Sequence, residues 1–233
     1  MSDTLTVTQL ITKVRERADM LNSQFVTDTE ITGYIDYSYK ELYDLLVESV
    51  EDYNLSSASF TIASGSNTYS LPSDFYKLRG LDDLTNPSRP RSVRKFAFNE
   101  RNDFTVDGLT LSSYEYSDVT YRVTGSVLTL MPPENAAKNY LLWYVPKAAT
   151  LSSGSDTADG VQGWLEYVIV DAAIKCKIKE ESDISDLERA KKNLNERIVR
   201  LRHNRDQALP EKVSRVRNRR RTDLYPYVGD YYP

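Results

Sequence analysis

Apolar positions recur at helical spacing in the first part of the chain, where Val7, Leu10, Ile11, Val14, Ala18 and Leu21 fall on one face. The capping-box pattern Thr6-x-x-Gln9 marks the start of this helix, because hydroxyl and amide each satisfy a backbone N–H that the first turn leaves free. A second box, Thr27-x-x-Glu30, predicts a longer helix, with Val26 and Ile31 placed as a hydrophobic staple across its start. Ile31, Ile35, Leu42, Leu46 and Val50 form its apolar stripe. Asp36, Glu41, Asp44, Glu48, Glu51 and Asp52 take much of the remainder, so the helix is amphipathic and acidic outside.

After Asn54 the pattern changes to short β-branched and aromatic runs separated by Gly, Pro, Asn and Ser. Strands are predicted at 59–63, 68–71, 76–81, 93–98, 109–111, 119–123, 127–131 and 140–145. Many short strands with frequent turns imply an antiparallel β-sandwich or small barrel. The paired prolines Pro132 and Pro133, which cannot donate to a ladder, would link two of them.

Helical periodicity returns near Asp159-x-x-Gln162 and runs through Trp164, Leu165, Val168, Ile169, Ala172, Cys176 and Ile178. A fourth helix carries Leu187, Ala190, Leu194, Ile198 and Leu201 on its apolar side and should stop before Pro210. The first two helices have too little apolar surface to fold alone, so all four are expected to pack together with the β segment inserted between the second and third. The resulting expectation is an α+β chain. Residues 1–56 and 159–209 make a discontinuous four-helix bundle-like domain, 57–158 a β-rich insertion, and 210–233 an extended C-terminal arm.

Charge changes this picture at the two ends. Residues 1–54 hold 11 acids and 4 bases, a net of -7, whereas residues 197–221 hold 10 bases and 2 acids, a net of +8. Two solvated faces would explain this, and so would different partners for different parts. In the arm, residues 212–221 hold six bases and no acid (Lys212, Arg215, Arg217, Arg219, Arg220 and Arg221). Tyr225, Tyr227, Tyr231 and Tyr232 follow. The guanidinium groups suit phosphates or an acidic protein, and the tyrosines suit base stacking or a protein interface. Proline spacing favours an extended strand laid across a partner protein; nucleic acid and plain disorder are the other readings.

Little in the chain points to catalysis. With one histidine, His203, and one cysteine, Cys176, a single chain lacks the nitrogen and sulfur ligands of a closed zinc site. His203 falls off the apolar stripe and reads as a solvated residue, while Cys176 falls on one and reads as a small hydrophobe. There is no glycine-rich nucleotide loop, Walker motif, Gly-x-Ser-x-Gly elbow or zinc-protease helix. Adjacent acids such as Asp82-Asp83 and Glu180-Glu181 point in different directions and make poor acid/base pairs. No cofactor or metal is expected. The start MSDTLTVTQL lacks an export pattern, and no apolar run approaches the ~20 residues of a membrane span. A soluble protein made in a reducing cytoplasm is expected, with no membrane partner.

The order of these segments resembles the head-to-tail adaptor (connector) proteins of tailed bacteriophages. TVTQLITKVRERADMLNSQFVTDTEITGYIDYSYKELYDLL is similar to their N-terminal helices, and SLPSDFYKLRGLD to the segment that follows. VLTLMPP, YLLWYVP, GWLEYVIVDAAIKCKIKEESD and the terminal RVRNRRR extend the resemblance over most of the chain. It implies a non-enzymatic virion subunit in the neck between capsid and tail, assembled in the host cytoplasm. Identical subunits would form a ring, usually twelve-fold, beneath the portal protein; the ring extends the channel for double-stranded DNA and carries a tail or nozzle protein. The arm at 212–233 would reach the portal; the acids of the second helix, Asp36, Glu41, Asp44, Glu48, Glu51 and Asp52, or else acids of the β insertion, are expected to line the passage, where like charge lets DNA slide. A nucleic-acid-binding module using the Arg-rich tail, another head-closure or tail-completion ring, and a cell-wall-degrading enzyme are the rival readings.

Overall fold

A computed structural model describes residues 4–49, 54–102, 119–133, 136–159 and 163–202 of the 233-residue chain. Four helices lie among them: α1 (Val7–Ala18), α2 (Asp28–Ser49), α3 (Leu165–Lys179) and α4 (Ser185–Arg202). Both capping boxes form. Gln9 N–H donates to Thr6 Oγ1 (3.3 Å) and Thr6 N–H to Gln9 Oε1 (3.0 Å), while Glu30 N–H donates to Thr27 Oγ1 (3.3 Å) and Thr27 N–H to Glu30 Oε2 (2.9 Å). Val26 and Ile31 are both fully buried, as the staple requires.

Helix α1 ends earlier than its apolar spacing predicts. Asp19 takes a left-handed backbone (φ 58°), and Met20 N–H donates to the Arg15 carbonyl at 2.8 Å, which closes the helix in an αL cap. Leu21, expected on the buried stripe, is 62% exposed. The turn to α2 is instead organised by Arg15. Its planar fork donates to the carbonyls of Met20, Ser23 and Val26 and to the Asp28 carboxylate, at 2.6–3.3 Å.

Helix α3 is buried on nearly every side and packs against α1, α2 and α4, as expected of a helix that is apolar all round. It begins at Leu165, later than the Asp159 pattern suggests, with Trp164 at the cap and no side-chain capping bond. Ile178, expected on the stripe, is exposed. One apolar cluster joins Leu10, Val14, Ile31, Ile35, Val168, Ala172 and Ile198 from all four helices. Helix α4 contributes least: Ile198 is buried and Leu187 and Leu194 are half-buried.

The strands are β1 (Leu5–Thr6), β2 (Ser56–Thr61), β3 (Thr68–Ser70), β4 (Phe75–Asp83), β5 (Arg91–Ser92), β6 (Arg94–Lys95), β7 (Thr120–Thr124), β8 (Val127–Met131), β9 (Asn139–Pro146) and β10 (Thr157–Ala158). They form one sheet in the order β2-β9-β4-β5, a second in the order β3-β8-β7-β6, and a two-stranded ladder β1-β10. Pairing is antiparallel except between β6 and β7, which run parallel, and the strands do not close into a barrel among the described residues. Alternate residues of β8 and β9, including Leu128, Leu130, Tyr140 and Leu142, point into one apolar cluster shared by both sheets. Phe60 of β2 stacks on Tyr69 of β3 with centroids 3.8 Å apart and ties the sheets together.

Two features depart from the sequence reading. Of the strand expected at 93–98 only Arg94–Lys95 forms, as β6 of the second sheet; β5 just before it pairs in the first sheet and a 3-10 turn follows at Phe98–Asn102, because residues 91–95 cross from one sheet to the other. The ladder β1-β10, which fastens the start of α1 beside the segment before α3, falls in runs too short to show periodicity. The strand expected at 109–111 lies outside the described residues, as do Val50, His203 and the whole of 203–233. Where α2 meets the sheet, Tyr43 and Val47 pack on Val145, and Tyr43 Oη donates to the Pro146 carbonyl at 2.5 Å. Burial pushes the Tyr43 phenol up to about 12, so it stays a donor.

Candidate functional site

The acids of α2 divide by environment. Asp36 is mostly buried, pairs with Lys40 (2.6 Å) and accepts the Leu151 N–H (2.9 Å), so it fastens the segment after β9 to the helix. Glu41 faces Lys175 (3.4 Å) and Lys191 (3.2 Å) and accepts from Tyr167 Oη at 3.4 Å. Asp44 accepts from Tyr76 Oη of β4 at 2.9 Å and is otherwise exposed, and Glu48 is exposed. Glu51 and Asp52 lie outside the described residues. So do Lys212, Arg215, Arg217, Arg219, Arg220, Arg221, Tyr225, Tyr227, Tyr231 and Tyr232 of the arm.

The structure adds a group that the sequence reading missed. Asp171, in the middle of apolar α3, is 3% exposed and accepts from Ser38 Oγ of α2 (2.6 Å), from Lys175 one turn along, and from Lys191 of α4 (2.6 Å). Burial pushes its carboxyl up, but the hydrogen bonds from Lys175, Lys191 and Ser38 outweigh that and hold it below the usual aspartate range. Burial alone would lower Lys191; contact with Asp171 raises it above the ordinary lysine value, and its ammonium also sits 5.3 Å from the centre of the Tyr167 ring. The signal available in the sequence was an acid with a lysine four residues on, inside the apolar run VIVDAAIKC. Chemically, this network fastens three helices together. Each Asp171 oxygen accepts from a lysine ammonium, so the carboxylate is committed to contacts within the subunit.

A second anchor joins Lys179 at the end of α3 to Glu30 (2.7 Å) and the Phe25 carbonyl (3.1 Å). The Lys179 hydrogen bond, with those from Thr27, holds Glu30 down to about 2. Cys176 is fully buried and burial pushes its thiol up to about 11, which suits a packing role and not a nucleophile. Among the described residues there is no group of three or more His, Cys, Asp or Glu able to hold a metal ion, and no helix long and apolar enough to cross a membrane.

Helices locked by a buried charge network, joined to a β-rich part through the foot of β9, define a class: an α+β protein whose polar interior is committed to holding its own elements in place. No curated protein matches the chain. The sequence model of the SU10 adaptor protein family matches residues 5–222, and the chain belongs to that family. It is thereby a structural protein of the bacteriophage adaptor type.

Proposed function

We propose that this adaptor is the subunit of a ring, twelve-fold as in the proteins it resembles, that joins the capsid portal to the tail, extends the DNA channel and bears a tail or nozzle protein below. The carrying observation is the family match, which runs from the first helix through the strands and α4 into the basic segment. The domain plan fits this reading: a helical part from 1–56 and 159–209, a β-rich insertion at 57–158 in the manner of a sandwich, and an arm at 210–233. Two separate apolar clusters, one among helices and one among strands, support that division.

The arm is the docking element in this proposal. Exposed ion pairs contribute only about 0–1 kcal/mol each, so the four tyrosines and strand-type backbone bonds should hold the portal more firmly than the arginines. Deleting residues 222–233 should therefore weaken binding to purified portal more than changing two arginines to glutamine. Unchanged portal affinity and normal particle assembly after that deletion would remove the arm from this role. Cryo-electron microscopy of the particle tests the ring, its symmetry and its neighbours together. Of the candidate channel acids, Asp36 and Glu41 are committed to internal partners, which leaves Asp44 and Glu48 among the described residues for a role between molecules.

A further inference from the structure

Between β4 and β7 the chain reads RPRSVRK, and its bases Arg89, Arg91, Arg94 and Lys95 are all exposed, with no acid from position 84 to 99. Register fixes where they sit. Arg91 lies opposite Asp83 at the far end of β4, and Arg94 and Lys95 lie alongside Thr120 and Tyr121 of β7, so the strip straddles both sheets. The two acids at the end of β4 are already engaged: Asp83 pairs with Lys138 (3.1 Å), and Asp82 accepts from Ser92 Oγ (3.0 Å) and Trp143 Nε1 (2.8 Å). None of the four bases makes an ion pair with a described residue. A cleft of about 280 Å³ opens between Arg91, Arg94 and Lys138, with room for an incoming carboxylate side chain.

The opposite charge stands at the other end of the same strand. Asp44 and Glu48 are one turn apart toward the C-terminus of α2, where the helix dipole disfavours acids, and the last turn carries no base. Neither has a cation partner among the described residues; Asp44 accepts only from Tyr76 near the start of β4. From Tyr76 to the strip at Asp83 is seven residues of strand, or roughly 20 Å at about 3.3 Å each. That exceeds the ~8 Å screening length at physiological salt more than twofold, so the two patches cannot neutralise each other within one molecule. A second copy of the chain carries the complement of both.

We infer that the basic strip of one copy docks on Asp44 and Glu48 of the next. The contact is head-to-tail, the type of interface that closes into a ring when its rotation closes. This rests on the ring reading above and assigns these two acids to a neighbour rather than to the channel wall.

The test uses the full chain and two charge-reversed variants, Arg91→Glu/Arg94→Glu and Asp44→Lys/Glu48→Lys, with Glu48→Lys alone as a variant that disturbs no contact within the subunit. Circular dichroism and thermal unfolding establish that each is folded. Sedimentation equilibrium at low salt should show self-association of the wild type that weakens as salt rises, and at least about tenfold weaker association for each variant alone. An equimolar mixture of the two double variants should recover association as alternating copies in one-to-one ratio, read by native mass spectrometry, because both mixed contacts again pair opposite charges. If the wild type associates but neither variant is weakened, or the mixture stays dissociated, the pairing is wrong while the ring reading stands. If the wild type never associates at any salt or concentration, the inference falls, while the ring reading is decided by microscopy of the particle. If Arg91→Glu/Arg94→Glu associates normally but loses salt-dependent binding to a short DNA duplex, the strip is a phosphate-binding surface and the inference is overturned.

Discussion

Replacing Asp171 by alanine would show how far α4 depends on a buried charge. The substitution removes the shared acceptor of Ser38, Lys175 and Lys191, whose charge-assisted bonds are each worth about 1.5–3 kcal/mol. Removing one partner of a fully buried pair commonly costs about 3–5 kcal/mol. Here the lysine side chains are 26% and 32% exposed and Glu41 lies within 3.4 Å of both, so they regain water and a second partner. The net loss should fall to about 2–3 kcal/mol, read from urea unfolding followed by the helical signal. The single hydroxyl proton of Ser38 turns wholly to the Tyr34 carbonyl once Asp171 is gone, so Ser38 adds little. The triple change Asp171→Leu/Lys175→Met/Lys191→Met removes the buried charge together with both its cations and strands only Glu41, whose side chain is half exposed to water, so it should lie within about 1 kcal/mol of wild type. The pH dependence has a definite sign. Because the folded carboxyl is held below its unfolded value of about 3.9, its contribution is present above that pH and is lost as pH falls through the lowered folded value. The gap between wild type and Asp171→Asn should thus be level from about pH 5 to 7 and narrow below about pH 4. An Asp171→Ala loss under about 0.5 kcal/mol, or a triple variant less stable than the single one, would refute this reasoning.

Arg15→Ala should lower stability by about 2–3 kcal/mol in thermal unfolding, since three backbone carbonyls and Asp28 lose one donor, and Arg15→Lys should recover less than half because an ammonium cannot match the planar fork. Glu30 should titrate by NMR with a midpoint of about 2 and climb toward the ordinary glutamate range in Lys179→Met; the stability tied to it is present above the unfolded pKa and fades as pH falls toward about 2. Cys176 should resist thiol reagents in the native protein and react on unfolding, and fast reaction at neutral pH in the folded state would contradict its burial.

What the sequence reveals and what it hides follow the range of the interactions. Thr6/Gln9 and Thr27/Glu30 act over three residues, so both helix starts are legible, and the alternation of β8 survives because both its neighbours lie in one sheet. Leu21 is misread because apolar spacing continues past a cap that depends on the backbone at Asp19. Residues 91–95 defeat periodicity because each two-residue strand is specified by a partner far along the chain, Asp82–Asp83 for one and Thr120–Tyr121 for the other. The same limit applies to the site. RPRSVRK is visible as charge, but only the register of β5 on β4 puts it at the opposite end of the strand from Asp44. Asp171 is visible as an acid in an apolar helix, but its partners Ser38 and Lys191 come from two other helices.

The pairing of β2 with β9 has a mechanical meaning. The chain leaves α2 along β2 and returns toward α3 along β9, and six residue pairs, from Ser56 with Tyr144 to Thr61 with Asn139, zip these strands together. Both helix-side ends emerge at the same end of the ladder. A pull that separates the β-rich part from the helices along the strand axis loads the two strands equally and in the same direction. It therefore places tension on the covalent backbone and little shear on the hydrogen bonds between them. A sideways force that parts the two ends would instead open the ladder one pair at a time, each at the small net strength of a single backbone bond. The β2–β9 connection is thus stiff in one direction and yielding in the other.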